Sequence, residues 1–288
     1  MDMRKRVLLW SATLCLAVLA LPLLPASKGD ATELLEADRG LSVPFEDKEL
    51  LRYEVNWRPL FLMPAFKAGE LTLSVHDSRY KGRPAYTIRG AARSEGLLAS
   101  VTGVEVRDQF ESNIDRKTLQ SYRYFTQVRR HNRKRDVEVL YLYELDTFTF
   151  RETDLDANPP EVIREEETEG IPGPVADILS VFYTLRSHAL KPGDAYSFNL
   201  GDGANIKRVH LSVEAGGKIQ TRLGTFETVK VTTVGGLFNN GGDLRAWFTT
   251  DKRHLPVQFE ADAKIGVVYG QIIGHETPRM SRSVIKVG

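Results

Sequence analysis

With 288 residues, 39 Lys and Arg against 38 Asp and Glu, and a single cysteine, the chain is close to neutral. That balance excludes a bulk nucleic-acid binder, which needs many uncompensated phosphate contacts. The only cysteine, Cys15, lies in an N-terminal apolar run, so the body of the chain has no disulfide, thiol nucleophile or cysteine metal ligand.

Residues 1–31 have the layout of a secretory signal peptide. Arg4, Lys5 and Arg6 precede an apolar stretch, Val7 to Leu24, broken only by Ser11, Thr13 and Pro22. Small residues follow at Ala26, Ser27, Gly29 and Ala31. An uncleaved anchor is the alternative reading, because about 18 apolar residues just span a bilayer. Pro22, Pro25 and the small-residue exit favour cleavage, and Gly29-Asp30-Ala31 fits the small-x-small rule better than Leu24-Pro25-Ala26. Bulky Leu14 makes Cys15 a poor lipidation site. Cleavage leaves 257 residues carrying 35 basic and 36 acidic side chains, with no stable transmembrane segment. That is enough chain for one large β domain or two small ones.

Residues 32–47 are polar and mixed, and read as a flexible lead-in. Beyond them most segments alternate with the period of two that marks half-buried strands. Leu51, Tyr53, Val55 and Trp57 begin the series, followed by Leu71, Leu73 and Val75, and then by residues 85–90. The stretch 60–66 is apolar without alternation and reads as a loop or a short strand ending. Strands are expected over 104–112, 121–128, 137–143 and 148–150. Asp154 to Glu169, polar and carrying Pro159-Pro160, reads as an exposed crossing.

One helix is predicted over about 174–189, with Ile178, Phe182 and Leu185 on its apolar stripe. Pro174 suits its first position, and Lys191-Pro192-Gly193-Asp194 ends it. Further strands are expected over 195–200, 207–214, 218–223, 226–234, 243–249, 255–261 and 267–274, with Gly216-Gly217 among the turns. About a dozen short strands need a closed or nearly closed sheet to hide their edges. The expected fold is mainly β: an antiparallel curved sheet, or partly open barrel, with the amphipathic helix packed on its concave face. One domain covers 48–274, and 275–288 is a tail.

Several stretches resemble the domain of unknown function 3108 family. They are Asp177 to Arg186 with Leu190-Lys191-Pro192-Gly193, Val106 to Ser112, and Tyr53 to Trp57 with Ala68-Gly69. In the C-terminal half Thr221 to Phe226, Ala246 to Asp251 and Leu255-Pro256-Val257 match as well. The resemblance implies a secreted, periplasmic bacterial protein. It implies no activity and no catalytic residues.

The chain has no Gly-x-Ser-x-Gly elbow, and its six histidines are scattered without metal-ligand spacing. No catalytic residue, metal ligand or cofactor is therefore assigned. Asp177 and Arg186 read either as a polar pair at a ligand mouth or as charges complementing the helix dipole. The tract Arg129, Arg130, Arg133, Lys134 and Arg135, with His131 inside it, reads either as a contact for anionic headgroups or polymer, or as a solvated hairpin tip. Trp57, Tyr124, Tyr141 and Trp247 on strands, with Phe182 and Arg186 on the helix, are candidates for lining a cavity; core packing is the alternative. The glycine-rich loop 235–242 reads as a lid.

The first functional expectation is a non-enzymatic binding or carrier protein for an apolar or amphipathic envelope ligand, a lipid or glycan. A concave face filled completely by side chains excludes it. The second is an envelope assembly factor that binds another protein through a sheet edge or the basic hairpin. The third is a hydrolase of envelope polymer, which requires histidines or carboxylates converging in a pocket.

Overall fold

A computed structural model of the chain describes residues 31–35, 43–59, 64–95, 105–130, 133–235, 242–263 and 266–278. The expected signal peptide, most of the glycine-rich loop and most of the tail lie outside the described residues.

The strands are β1 (Thr32–Glu33), β2 (Glu49–Pro59), β3 (Phe66–Tyr80), β4 (Arg83–Ser94), β5 (Arg107–Asp115), β6 (Ser121–Arg130), β7 (Arg133–Leu142) and β8 (Thr147–Asp154). They continue as β9 (Glu161–Glu169), β10 (Val175–Ala176), β11 (Ala195–Asp202), β12 (Asn205–Thr221), β13 (Gly224–Val234), β14 (Leu244–Thr249), β15 (Pro256–Ala263) and β16 (Gly266–Glu276). Among the described residues there is one α-helix, α1 (Ser180–Arg186), between β10 and β11.

All sixteen strands join one sheet, ordered β1-β11-β12-β13-β14-β15-β16-β2-β3-β4-β5-β6-β7-β8-β9, with β10 also on β11. Neighbours pair antiparallel, except that β1 and β10 run parallel to β11. The mainly β, curved and open architecture therefore matches the expectation. Alternation explains the individual strands: on β2, Leu51 and Tyr53 are buried while Arg52 is exposed.

The ladder does not close, but its two ends are stitched together. Asn199 on β11 donates from Nδ2 to the carbonyls of Pro172 (2.9 Å) and Pro174 (3.3 Å). From the other end, the Tyr143 hydroxyl accepts the Val175 N–H at 3.2 Å and donates to the Ser121 carbonyl at 2.9 Å. A second apolar cluster fills the seam, with Val139, Tyr141, Phe148 and Phe150 meeting Val175 and Ala204. Gly201 is required there: a Cβ on it would sit 1.7 Å from the Tyr141 hydroxyl.

Four local expectations are corrected. Residues 32–35 are part of the fold, because β1 pairs with Tyr196 and Ser197 and places Leu34 and Leu35, each 1% exposed, in the main core. Val43 and Phe45 also pack on that core, so the lead-in is not uniformly detached. Gly216-Gly217 is a bulge within one long strand, not a turn: a Cβ on Gly216 would lie 2.4 Å from Thr228 Oγ1. Residues 161–169 form strand β9 although every one is exposed; with both faces wet, no alternation marks them.

The fourth correction concerns the helix, which is shorter than its apolar pattern. Val175 and Ala176 are held extended by Asn199 and Leu200. Asp177 then closes a reciprocal capping turn, its Oδ1 accepting the N–H groups of Leu179 (2.8 Å) and Ser180 (2.9 Å). Ser180 Oγ accepts the Asp177 N–H at 2.8 Å in return. Instead of one apolar stripe, Val181, Tyr183, Thr184, Leu185 and Arg186 are all buried, because the curved sheet surrounds the helix.

The placement of the N-terminal segment is testable. Leu35→Ala is expected to lower the free energy of unfolding by about 2–4 kcal/mol in chemical denaturation. A detached lead-in predicts no change.

Candidate functional site

The interior around α1 has two polar anchors and one apolar cleft. The first anchor is Asp177, fully buried where the chain enters the helix. Ser112 on β5 and Ser121 on β6 donate to its Oδ2 at 2.5 and 2.6 Å. Burial pushes the carboxyl above the usual aspartate range, opposed by these hydroxyls and by the Ser180 and Leu179 amides.

The second anchor lies at the other end of the helix. Arg186, 1% exposed, donates from Nη1 and Nη2 to the two Glu49 oxygens at 2.6 and 2.9 Å. His275 Nε2 meets Glu49 Oε1 at 2.9 Å, and His254 Nδ1 meets the Arg186 carbonyl at 2.8 Å. Phe45 and Tyr183 lie against the guanidinium, 5.6 and 5.4 Å from ring centre to Cζ. Burial alone would raise the Glu49 carboxyl, but hydrogen bonds from His275 and Arg186 hold it below the usual glutamate range. The Tyr183 hydroxyl is buried with no hydrogen-bond partner among the described residues, and burial raises it far above an ordinary phenol.

Between the anchors, α1 and strands β11–β14 leave an apolar cleft of about 30 Å³. Ile178, Val181, Phe182 and Leu185 form one wall, while Leu211 and Val231 are among the residues opposite. Among the described residues that line it, Thr233 alone has a side-chain hydroxyl. Ile178, Phe182 and Leu244 are half-buried and mark its mouth.

The structure brings only one of the expected site residues to this cleft, Phe182, whose ring meets Phe259 edge-on at 6.4 Å. Arg186 serves the Glu49 anchor. Tyr141 fills the seam, Tyr124 packs against both apolar clusters, and Trp57 packs on Phe66 at 5.2 Å. Trp247, half-buried on β14, packs against the main core cluster and does not line the cleft. Asp177 and Arg186 are not a pair. Asp177 does complement the start of the helix, whereas Arg186 is spent on Glu49 and on the Arg253 carbonyl.

The basic tract is largely neutralised within the sheet. Arg129 pairs with Asp136 (2.7 Å), Arg130 with buried Asp108 (2.9 Å) and Arg133 with Glu152 (3.0 Å). Arg135 pairs with Asp154, and Lys134 is exposed. Sequence reasoning missed Glu49, His275, Ser112 and Ser121. The expected tail from residue 275 begins inside the sheet, since β16 runs through His275 to Glu276. Among the described residues no cluster of His, Cys, Asp and Glu is arranged to hold a metal.

Residues 52–272 match a family model described as "Protein of unknown function (DUF3108)". No match was found among curated proteins. The chain is similar to the crystal structure of a β-barrel-like protein of domain of unknown function DUF1849 from Brucella abortus. The TM-score is 0.52 at 8% identity, covering 80% of this chain and 97% of that one. The likeness is one of fold.

Two outcomes are expected of the anchors. Arg186→Met strands a buried carboxylate and costs about 3–5 kcal/mol, while adding Glu49→Leu recovers much of that loss in a double-mutant cycle. Asp177 has the opposite pH signature to Glu49. Its raised value means that the folded state holds the proton longer, so its contribution falls as pH rises from the ordinary aspartate value through the raised one. The stability cost of Asp177→Asn, measured by denaturation across that range, is therefore expected to shrink with rising pH; a cost that grows contradicts this.

Proposed function

Because the chain belongs to the DUF3108 family, whose description carries no activity, we propose from the geometry that it is an exported, periplasmic, non-enzymatic protein that binds an apolar chain end. The observation that carries this reading is the cleft between α1 and β11–β14, lined almost entirely by aliphatic and aromatic side chains. At about 30 Å³ it admits one water-sized or methyl-sized group as it stands. A longer ligand requires Phe182 and Ile178, half-buried at the mouth, to turn aside, so the ligand proposed is narrow and unbranched. Such a ligand is an acyl chain entering methyl-first, its polar head left in water. Each methylene buried contributes about 0.8 kcal/mol, which favours long chains.

The export reading is supported by the signal-peptide pattern of residues 1–31. Among the described residues no helix is long and apolar enough to cross a membrane. A hydrolase is the weaker reading. Glu49 and His275 do converge, but both are buried beneath α1, and neither lines the cleft.

Native mass spectrometry of protein purified from its own periplasm is expected to show a retained lipid mass, and the delipidated protein to bind dodecanoate in calorimetry. Val231→Phe, which fills the cleft at a cost of about 1–3 kcal/mol in stability, is expected to abolish that binding while the protein stays folded. No adduct and no dodecanoate binding by the unmutated protein, or binding unaffected by Val231→Phe, overturns the proposal.

A further inference from the structure

We infer that the free edge of β9 is a docking site for an extended, Lys- and Arg-rich segment of another protein, which adds to the sheet as a further strand. The two ends of the sheet are treated differently. The outer side of β11 is covered at Tyr196–Ser197 by β1 and at Asn199–Leu200 by β10. The far side of β9 pairs with no strand among the described residues, and all nine of its residues are exposed.

The strand is nevertheless formed. It holds a ladder with β8, ends at Gly170 N–H on the Asp146 carbonyl (2.7 Å), and is pinned by Ile171 N–H on Asp146 Oδ1 (2.8 Å). After an irregularity opposite Glu152/Thr153, residues 164–169 pair with β8 without interruption. An open row of backbone donors and acceptors on a preformed strand is the template that strand addition uses, and it supplies affinity from main-chain hydrogen bonds.

Charge selects the occupant. Glu161, Glu165, Glu166, Glu167 and Glu169 stand against a single base, Arg164. Arg164 pairs with Glu166, and Arg151 of β8 with Glu165, leaving three carboxylates with no ion pair among the described residues. A second copy of β9 is rejected, because edge-to-edge pairing would set glutamates against glutamates. A basic extended segment is attracted by the same side chains. Val162 and Ile163, 45% and 47% exposed, add apolar contact at one end of the edge.

The test uses the full chain and a blocked peptide of about ten residues alternating Lys and Val, followed by amide hydrogen exchange and by calorimetry. Binding is expected to slow exchange within 164–169, and to weaken about fivefold or more in the doubly reversed variant Glu161→Lys/Glu167→Lys, whose changes are at exposed sites. Two further peptides, N-methylated at odd or at even positions, remove backbone donors without altering the protein. One of the two is expected to bind at least about tenfold more weakly. The inference is overturned by any of three results: no protection of β9, equal binding of both methylated peptides, or self-association of the chain through β9.

Discussion

The interior of this sheet is organised by one buried ion pair. Arg186 and Glu49 are separated by 137 positions, each almost wholly out of water, and they meet through two parallel hydrogen bonds. A charge in that setting is costly unless fully partnered, so helix α1 can sit only where β2 delivers Glu49 and β16 delivers His275. The aromatic faces of Phe45 and Tyr183 and the Arg253 carbonyl complete the enclosure of the guanidinium. The pair thereby specifies where the end of the helix lies, whatever its net contribution to stability.

The remaining architecture follows from having a helix inside the sheet. Asp177 fixes the other end of α1 to β5 and β6, and Leu179 packs where Gly90 leaves room on β4 beside Leu73 and Phe110. Phe182 reaches β15, and the aliphatic residues of the helix face β11–β14. With the helix held at both ends, the sheet curls around it until β7 and β8 meet β11 and β12 through the segment 171–176. The apolar cleft is the space left where β11–β14 do not quite close on the helix. Its position is set by the polar anchors on either side, and none of its own wall residues carries a charge.

Much of this was legible in the sequence, and the parts that were not share a physical cause. Strands with one buried and one wet face, such as β2 with Leu51 and Tyr53 against Arg52, announce themselves by alternation. The helix was located by its apolar spacing, but its length was overestimated, because Val175 and Ala176 obey a parallel pairing with β11 that local pattern does not show. Strand β9 has no buried face and hence no periodicity; β1 is two residues long and is defined by its partner alone. The anchors were the hardest to see. Glu49 and His275 lie 226 positions apart at strand ends, and isolated serines such as Ser112 and Ser121 carry no spacing signal. The aromatic residues chosen as cavity lining fell mostly on packing roles, since strand position alone does not say which face is concave.

If the two anchors hold α1 as an integral part of the interior, its amides are closed off as firmly as the strands around it. Native-state hydrogen exchange over residues 180–186, compared with β2 and β16, measures this directly. The account predicts that the α1 amides exchange only with global unfolding, at the same free energy as Tyr53 and Ile272. Exchange of the helix by a separate, lower-energy opening while those strands stay protected would contradict it.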